Sequence, residues 1–69
     1  MKTINEIRKG DIVYYRNGRI NHVNQPDNYK NYYNRNFENI GLYSGFDIMK
    51  IQRYKKILWF YVLKTIYVR

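Results

Sequence analysis

Residues 11–24 decide the fold: Asp11-Ile-Val-Tyr-Tyr-Arg16, then Asn17-Gly18, then Arg19-Ile-Asn-His-Val-Asn24. Two β-branched and aromatic runs meet at Asn-Gly. That is the strongest short-range hairpin signal, because a type I′ turn needs positive φ at both central positions. A two-residue turn sets Tyr15 opposite Ile20, Tyr14 opposite Asn21, Val13 opposite His22 and Ile12 opposite Val23, with Arg16 facing Arg19. Side chains alternate across a strand, so Val13, Tyr15, Ile20 and His22 share the face expected to meet the core. Ile12, Tyr14, Arg16, Arg19, Asn21 and Val23 share the other. Like charges directly opposite one another are destabilising. Arg16 beside Arg19 therefore points to an anion near the hairpin tip, against the plainer alternative that both splay into water.

Upstream, Thr3 and Glu6 have the spacing of a capping box, which predicts a helical turn over Ile4 to Lys9 closed by Gly10. Downstream, five Asn and Pro26 make residues 24–36 a polar loop. Within it and just beyond, Tyr29, Tyr32, Tyr33, Phe37 and Ile40 recur at helical spacing, with Pro26 suited to a first turn. The expectation is a short helix whose tyrosines lean on the sheet. Gly41 to Gly45 is a second bend. Phe46–Arg53 reads as a strand and Tyr54-Lys55-Lys56 as its turn. The apolar run Ile57–Leu63 follows, and its β-branched and aromatic content favours a strand over a C-terminal helix. A bend or bulge near Leu63–Thr65 carries it on to Val68. The whole is a single small, mainly antiparallel β domain over residues 1–69.

Thirteen Lys and Arg against five Asp and Glu give +8, and the excess is uneven. Residues 1–47 hold seven cations and all five acids, a net of +2. Residues 48–69 hold Lys50, Arg53, Lys55, Lys56, Lys64 and Arg69 and no acid, a net of +6. Such polarity favours an anionic partner. Thirteen aromatics, nine of them Tyr, must supply most of the core of a chain with no cysteine. That leaves three or four for the surface. No window approaches the roughly 18 apolar residues of a membrane span, and the first residues have no apolar signal core. Both lead to the expectation of a cytoplasmic protein with no membrane partner.

Few residues are equipped for catalysis. His22 is the only histidine and Ser44 the only serine, and the carboxylates are spread singly. No spacing fits a metal site, a phosphate-cradling loop or a nucleophile elbow, so neither cofactor nor metal is expected. A metal-independent, toxin-like ribonuclease using Tyr14, Arg16, Arg19 and His22 is the enzymatic alternative. The expected placement of His22 on the opposite face argues against it.

Binding needs less. Tyr14 with Arg16 and Arg19, Lys30 and Arg35 around Tyr32 and Tyr33, and Lys50, Arg53, Tyr54, Lys55 and Lys56 interleave cations with aromatic rings. Proteins that hold single-stranded nucleic acid share that pattern. Tyr and Arg are also frequent at protein interfaces, and the apolar run at 57–63 suits a homodimer with no nucleic-acid role.

Gly10 to Val13, Arg16 to Gly18, Asp47 to Arg53 and Thr65 to Arg69 together form a pattern. The chain resembles, over about half its length, short proteins from phages and mobile elements of low-GC bacteria. It departs from them at residues 54–64, which are unusually apolar. The resemblance implies an SH3-like small barrel or curved sheet with a short helix in the 24–40 loop. It also implies a non-enzymatic inhibitor of the anti-defence (anti-CRISPR) type, whose partner is nucleic acid or a host nucleoprotein enzyme.

Overall fold

The computed structural model describes residues 1–41 and 43–69; Leu42, inside the expected Gly41–Gly45 bend, lies outside the described residues. The strands are β1 (Ile12–Tyr15), β2 (Ile20–His22), β3 (Ile48–Ile57) and β4 (Phe60–Val68), and α1 spans Pro26–Tyr32. Short 3-10 turns form at Ile4–Glu6 and Ser44–Phe46. The four strands make one antiparallel sheet in the order β2-β1-β3-β4. The mainly β architecture with a short helix in the 24–40 loop is therefore as expected.

The capping-box residues produce a single 3-10 turn, shorter than the expected helical turn. The Thr3 N–H donates to Glu6 Oε2 at 3.1 Å. The chain is already extended at Ile7, so that Ile4 and Ile7 can both enter the core.

The first hairpin pairs Ile12 with His22, Val13 with Asn21 and Tyr14 with Ile20, one residue off the expected register. Gly18, at φ +86°, is the only loop residue in the left-handed region. Its N–H donates to Tyr15 O at 3.0 Å, and the Tyr15 N–H donates to Arg19 O at 2.9 Å. The connection is thus a three-residue loop, Arg16-Asn17-Gly18, of the turn-plus-glycine-bulge kind. The Asn17 side chain fastens it by accepting from the Arg19 N–H at 2.9 Å. Arg16 does not face Arg19; it reaches Asp47 at 3.3 Å.

A one-residue slip exchanges the faces of β2. Asn21 turns toward the core side, where its Nδ2 donates to Tyr29 Oη at 2.6 Å. Val23 is buried on that side, Asn21 keeps much of its surface exposed at the sheet edge, and Ile20 and His22 turn outward.

The core lies on one side of the sheet. Val13, Val23, Ile48 and Ile51 meet Ile4, Ile7, Tyr29, Tyr33 and Phe37. Phe37, at φ +63°, stacks on Tyr67 at 3.7 Å between ring centroids. Arg69 Nη2 donates to the Asn36 and Phe37 carbonyls and holds that corner shut. Three aromatics are buried, Tyr29, Tyr33 and Phe37. Tyr32, Tyr43, Tyr54, Trp59, Phe60 and Tyr61 are exposed, more than the three or four expected. Aliphatic residues fill most of the interior instead.

The second hairpin also differs from expectation. Residues 54–56 are not its turn: β3 begins at Ile48 and runs through them to Ile57, and Leu58-Trp59 make the loop. The longer ladder adds the pairs Tyr54–Leu63, Lys55–Val62, Lys56–Tyr61 and Ile57–Phe60. Each such pair contributes roughly 0.2–1 kcal/mol, which a turn at the lysines would forgo. The register shifts once, opposite Ile51 and Gln52, where Ile66 is the extra residue; the expected bulge lies one residue further on.

β1 pairs with β3 only as far as Gln52, so residues 53–64 leave the body as a two-stranded arm about 17 Å long at a strand's rise per residue. The Cα radius of gyration of 12.1 Å and extents of 43 × 22 × 20 Å record the elongation. A compact chain of this length would have a radius of gyration of about 11 Å.

Candidate nucleic-acid interface

Among the described residues, no helix lies on the sheet's second face. Register places Tyr14 and Ile12 of β1, Ile20 and His22 of β2, Lys50, Gln52, Tyr54 and Lys56 of β3, and Tyr61, Leu63, Thr65 and Val68 of β4 on it. Side-chain bonds tie its middle together. Tyr14 Oη donates to Gln52 Oε1 at 2.6 Å, and Gln52 Nε2 donates to Thr65 Oγ1 at 3.3 Å. The Lys50 ammonium lies 4.3 Å above the Tyr14 ring, a cation–π contact worth about 0.5–1 kcal/mol at an exposed site.

Beyond this tied patch the face continues onto the arm. Tyr54 is 52% exposed and Tyr61 64%, on a cross-strand diagonal of roughly 7–8 Å. Lys56 lies directly across from Tyr61. Tyr14, Tyr54 and Tyr61 thus alternate with Lys50 and Lys56 on a surface without a carboxylate.

The other expected contact residues divide. Arg53 is taken up by Asp11: its Nε and Nη2 each donate to one carboxylate oxygen at 2.8 Å. The carboxylate is 1% exposed and also accepts from the Arg8 N–H at 2.9 Å. That pairing raises the guanidinium's already high pKa. Arg53 is therefore a structural cation. Arg16 is held more loosely, by a single 3.3 Å contact to Asp47 from a half-exposed side chain, with Arg69 adding a longer contact at 3.8 Å.

Tyr33 is buried, with its Oη donating to the Phe46 carbonyl at 2.7 Å. Burial pushes its phenol up to about 12 and raises that of Tyr29 further. Lys30 pairs along the helix with Asp27 at 3.5 Å. Tyr32, Arg19 and Arg35 are exposed but lie off the second sheet face. Lys55 is exposed on the arm's opposite face with Lys64. His22 shares the face of Tyr14, contrary to the separation expected from the sequence.

Sequence reasoning did not name Tyr61 and Leu63 as contact residues of this face. The available signal was the size of the apolar run: a body whose interior is already filled by isoleucines and valines has no place for seven more large side chains.

A cavity of about 260 Å³ opens among Tyr15, Tyr29, Tyr32, Tyr33, Phe46 and two asparagines on the core side. The Tyr15 and Tyr29 hydroxyls are bonded to each other at 2.9 Å and the Tyr33 hydroxyl to the Phe46 carbonyl, so three of its four phenols are already partnered. No helix among the described residues is long and apolar enough to cross a membrane. Those residues also include no group of three or more His, Cys, Asp or Glu side chains placed to hold a metal ion. Compared with protein-family models, curated proteins and solved structures, the chain finds no match.

Proposed function

We propose that this chain is a non-enzymatic nucleic-acid-binding protein whose contact surface is the uncovered face of its sheet, and that it engages single-stranded nucleic acid, free or held by a nucleoprotein enzyme. The observation that carries this reading is the run of Tyr14, Tyr54 and Tyr61 interleaved with Lys50 and Lys56 on one acid-free surface. Each ring offers a sequence-tolerant platform, and a stacked base contributes on the order of 1–3 kcal/mol. That exceeds what Lys50 gains by resting on Tyr14. A base arriving on the ring releases the ammonium to a phosphate.

The test is a titration of a fluorescently labelled oligothymidine and oligouridine of about 12 nucleotides, within the usual site size of such surfaces. Tyr54→Ala and Tyr61→Ala, both exposed, are expected to weaken binding about tenfold each without a change in thermal stability. Equal affinity of both variants and the parent would remove the reading. Recovery of a shortened oligouridine would instead favour a ribonuclease built on Tyr14 and His22.

A further inference from the structure

Beyond Tyr61, the platform ends at a tip that no intramolecular contact explains. Leu58 and Trp59 form the two-residue loop of the arm and are 73% and 84% exposed. Leu58 holds φ +56°, at a loop position where a glycine would be unstrained. The loop thus keeps a large apolar side chain in water although the backbone there favours a smaller residue. Among the described residues, the one aromatic partner of Trp59 is its neighbour Phe60, met edge-on at 6.5 Å between centroids.

Charge selects the occupant. Lys56 and Lys55 lie two and three residues before Leu58, and Lys64 stands further back, opposite Arg53 at the base of the arm. None of the three forms an ion pair among the described residues, and residues 48–69 contain no acid. Two arms laid against each other would bring six cations together with nothing to neutralise them. A polyanion meets the same surface with complementary charge. Its apolar component must also be planar and stackable, because the tip continues a line of aromatic platforms. Apolar side chains insert as wedges at base steps, and aromatic rings stack on exposed base faces.

We infer that the arm's tip caps a duplex end: the protein prefers the junction where paired nucleic acid gives way to a single strand, with the strand on the tyrosine face and Trp59 stacked on the terminal base pair, Leu58 packing beside it. This rests on the proposed binding of single strands and names the substrate class of that same surface.

Trp59 is the only tryptophan, so tryptophan emission, excited beyond the tyrosine absorption band, reports on the tip alone. The experiment compares an oligothymidine of about 12 nucleotides with the same strand extended by a stable DNA hairpin at its 5′ or 3′ end. Full-length protein and Trp59→Ala are both used, and Leu58→Gly, which relieves the strained φ, serves as a second variant that keeps the fold. The expected result is about tenfold tighter binding to one junction polarity, quenching of Trp59 by that junction, and loss of the preference in Trp59→Ala with single-strand affinity retained.

Equal affinity for strand and junctions, or a preference that survives Trp59→Ala, overturns the cap and leaves the single-strand reading standing. Failure to bind any oligonucleotide overturns both. A blue shift of Trp59 on anionic phosphatidylglycerol vesicles, with no quenching by DNA, assigns the tip to a lipid surface and overturns the cap. A blue shift that grows with protein concentration assigns it to a second copy and does the same.

Discussion

Tyr32 and Tyr33 are adjacent in the chain and opposite in circumstance. Tyr33 caps the end of α1 and turns its hydroxyl onto the Phe46 carbonyl, whereas Tyr32 stands in solvent. Helical spacing alone treats both as candidates for the core side. What separates them is the exit from the helix after residue 32 and a contact with Phe46, 13 residues later. Arg53 is a similar case: its partner Asp11 is 42 residues away, and a tally of cations contains no sign of it. The buried phenols have a consequence for pH. Tyr29 and Tyr33 ionise less readily in the folded chain than the ordinary value of 10.0, Tyr33 at about 12, because burial disfavours the phenolate. Their contribution to stability is fully present below about pH 10 and is lost as pH rises through the folded-state values. Ultraviolet titration is expected to show two of the nine tyrosines ionising late, together with a falling unfolding midpoint between about pH 10 and 12.

At the level of elements, the sequence located each strand to within a few residues and placed α1 inside its loop, but misjudged both connections. Asn17-Gly18 was correctly a turn, yet two- and three-residue loops share that dipeptide, and the choice between them reverses a face of β2. At the second hairpin, lysines suggested a loop where they are strand residues of a solvent-exposed ribbon. The arm also differs from the body in how it is held. Isolated two-stranded ribbons are marginal in water, and residues 53–57 have β4 alone beside them. Amide hydrogens of residues 54–63 are therefore expected to exchange well before those of Val13, Ile48 and Ile51, which are buried in the core. Mass-spectrometric exchange measures this directly. Addition of an oligonucleotide should slow exchange in the arm more than in α1.

For the molecule as a whole, a net charge of +8 was legible at once, but its distribution was not. The carboxylates recruit specific partners: Asp11 takes Arg53, Asp47 takes Arg16 and Arg69, and Asp27 takes Lys30. The remaining cations of the C-terminal third all lie along β3 and β4: Lys50 on the body of the sheet, and Lys55, Lys56 and Lys64 on the two faces of the arm. Binding to a single strand loses affinity with salt at a slope of about −0.7 per neutralised phosphate. Lys50→Glu with Lys56→Glu, both on the tyrosine face, is accordingly expected to flatten that slope by about 1.4, and Lys55→Glu, on the other face, by less. A slope unchanged in titrations across a salt series would place the phosphates elsewhere. The same lysines have another duty. β4 is an unpaired outer edge, and the far part of β3 is a second one. Between them lies a run rich enough in isoleucine, leucine and aromatics to seed fibrils by strand addition. Lys55, Lys56 and Lys64 act there as gatekeepers: a variant that reverses their sign stays dispersed, whereas one that merely neutralises them is set to aggregate.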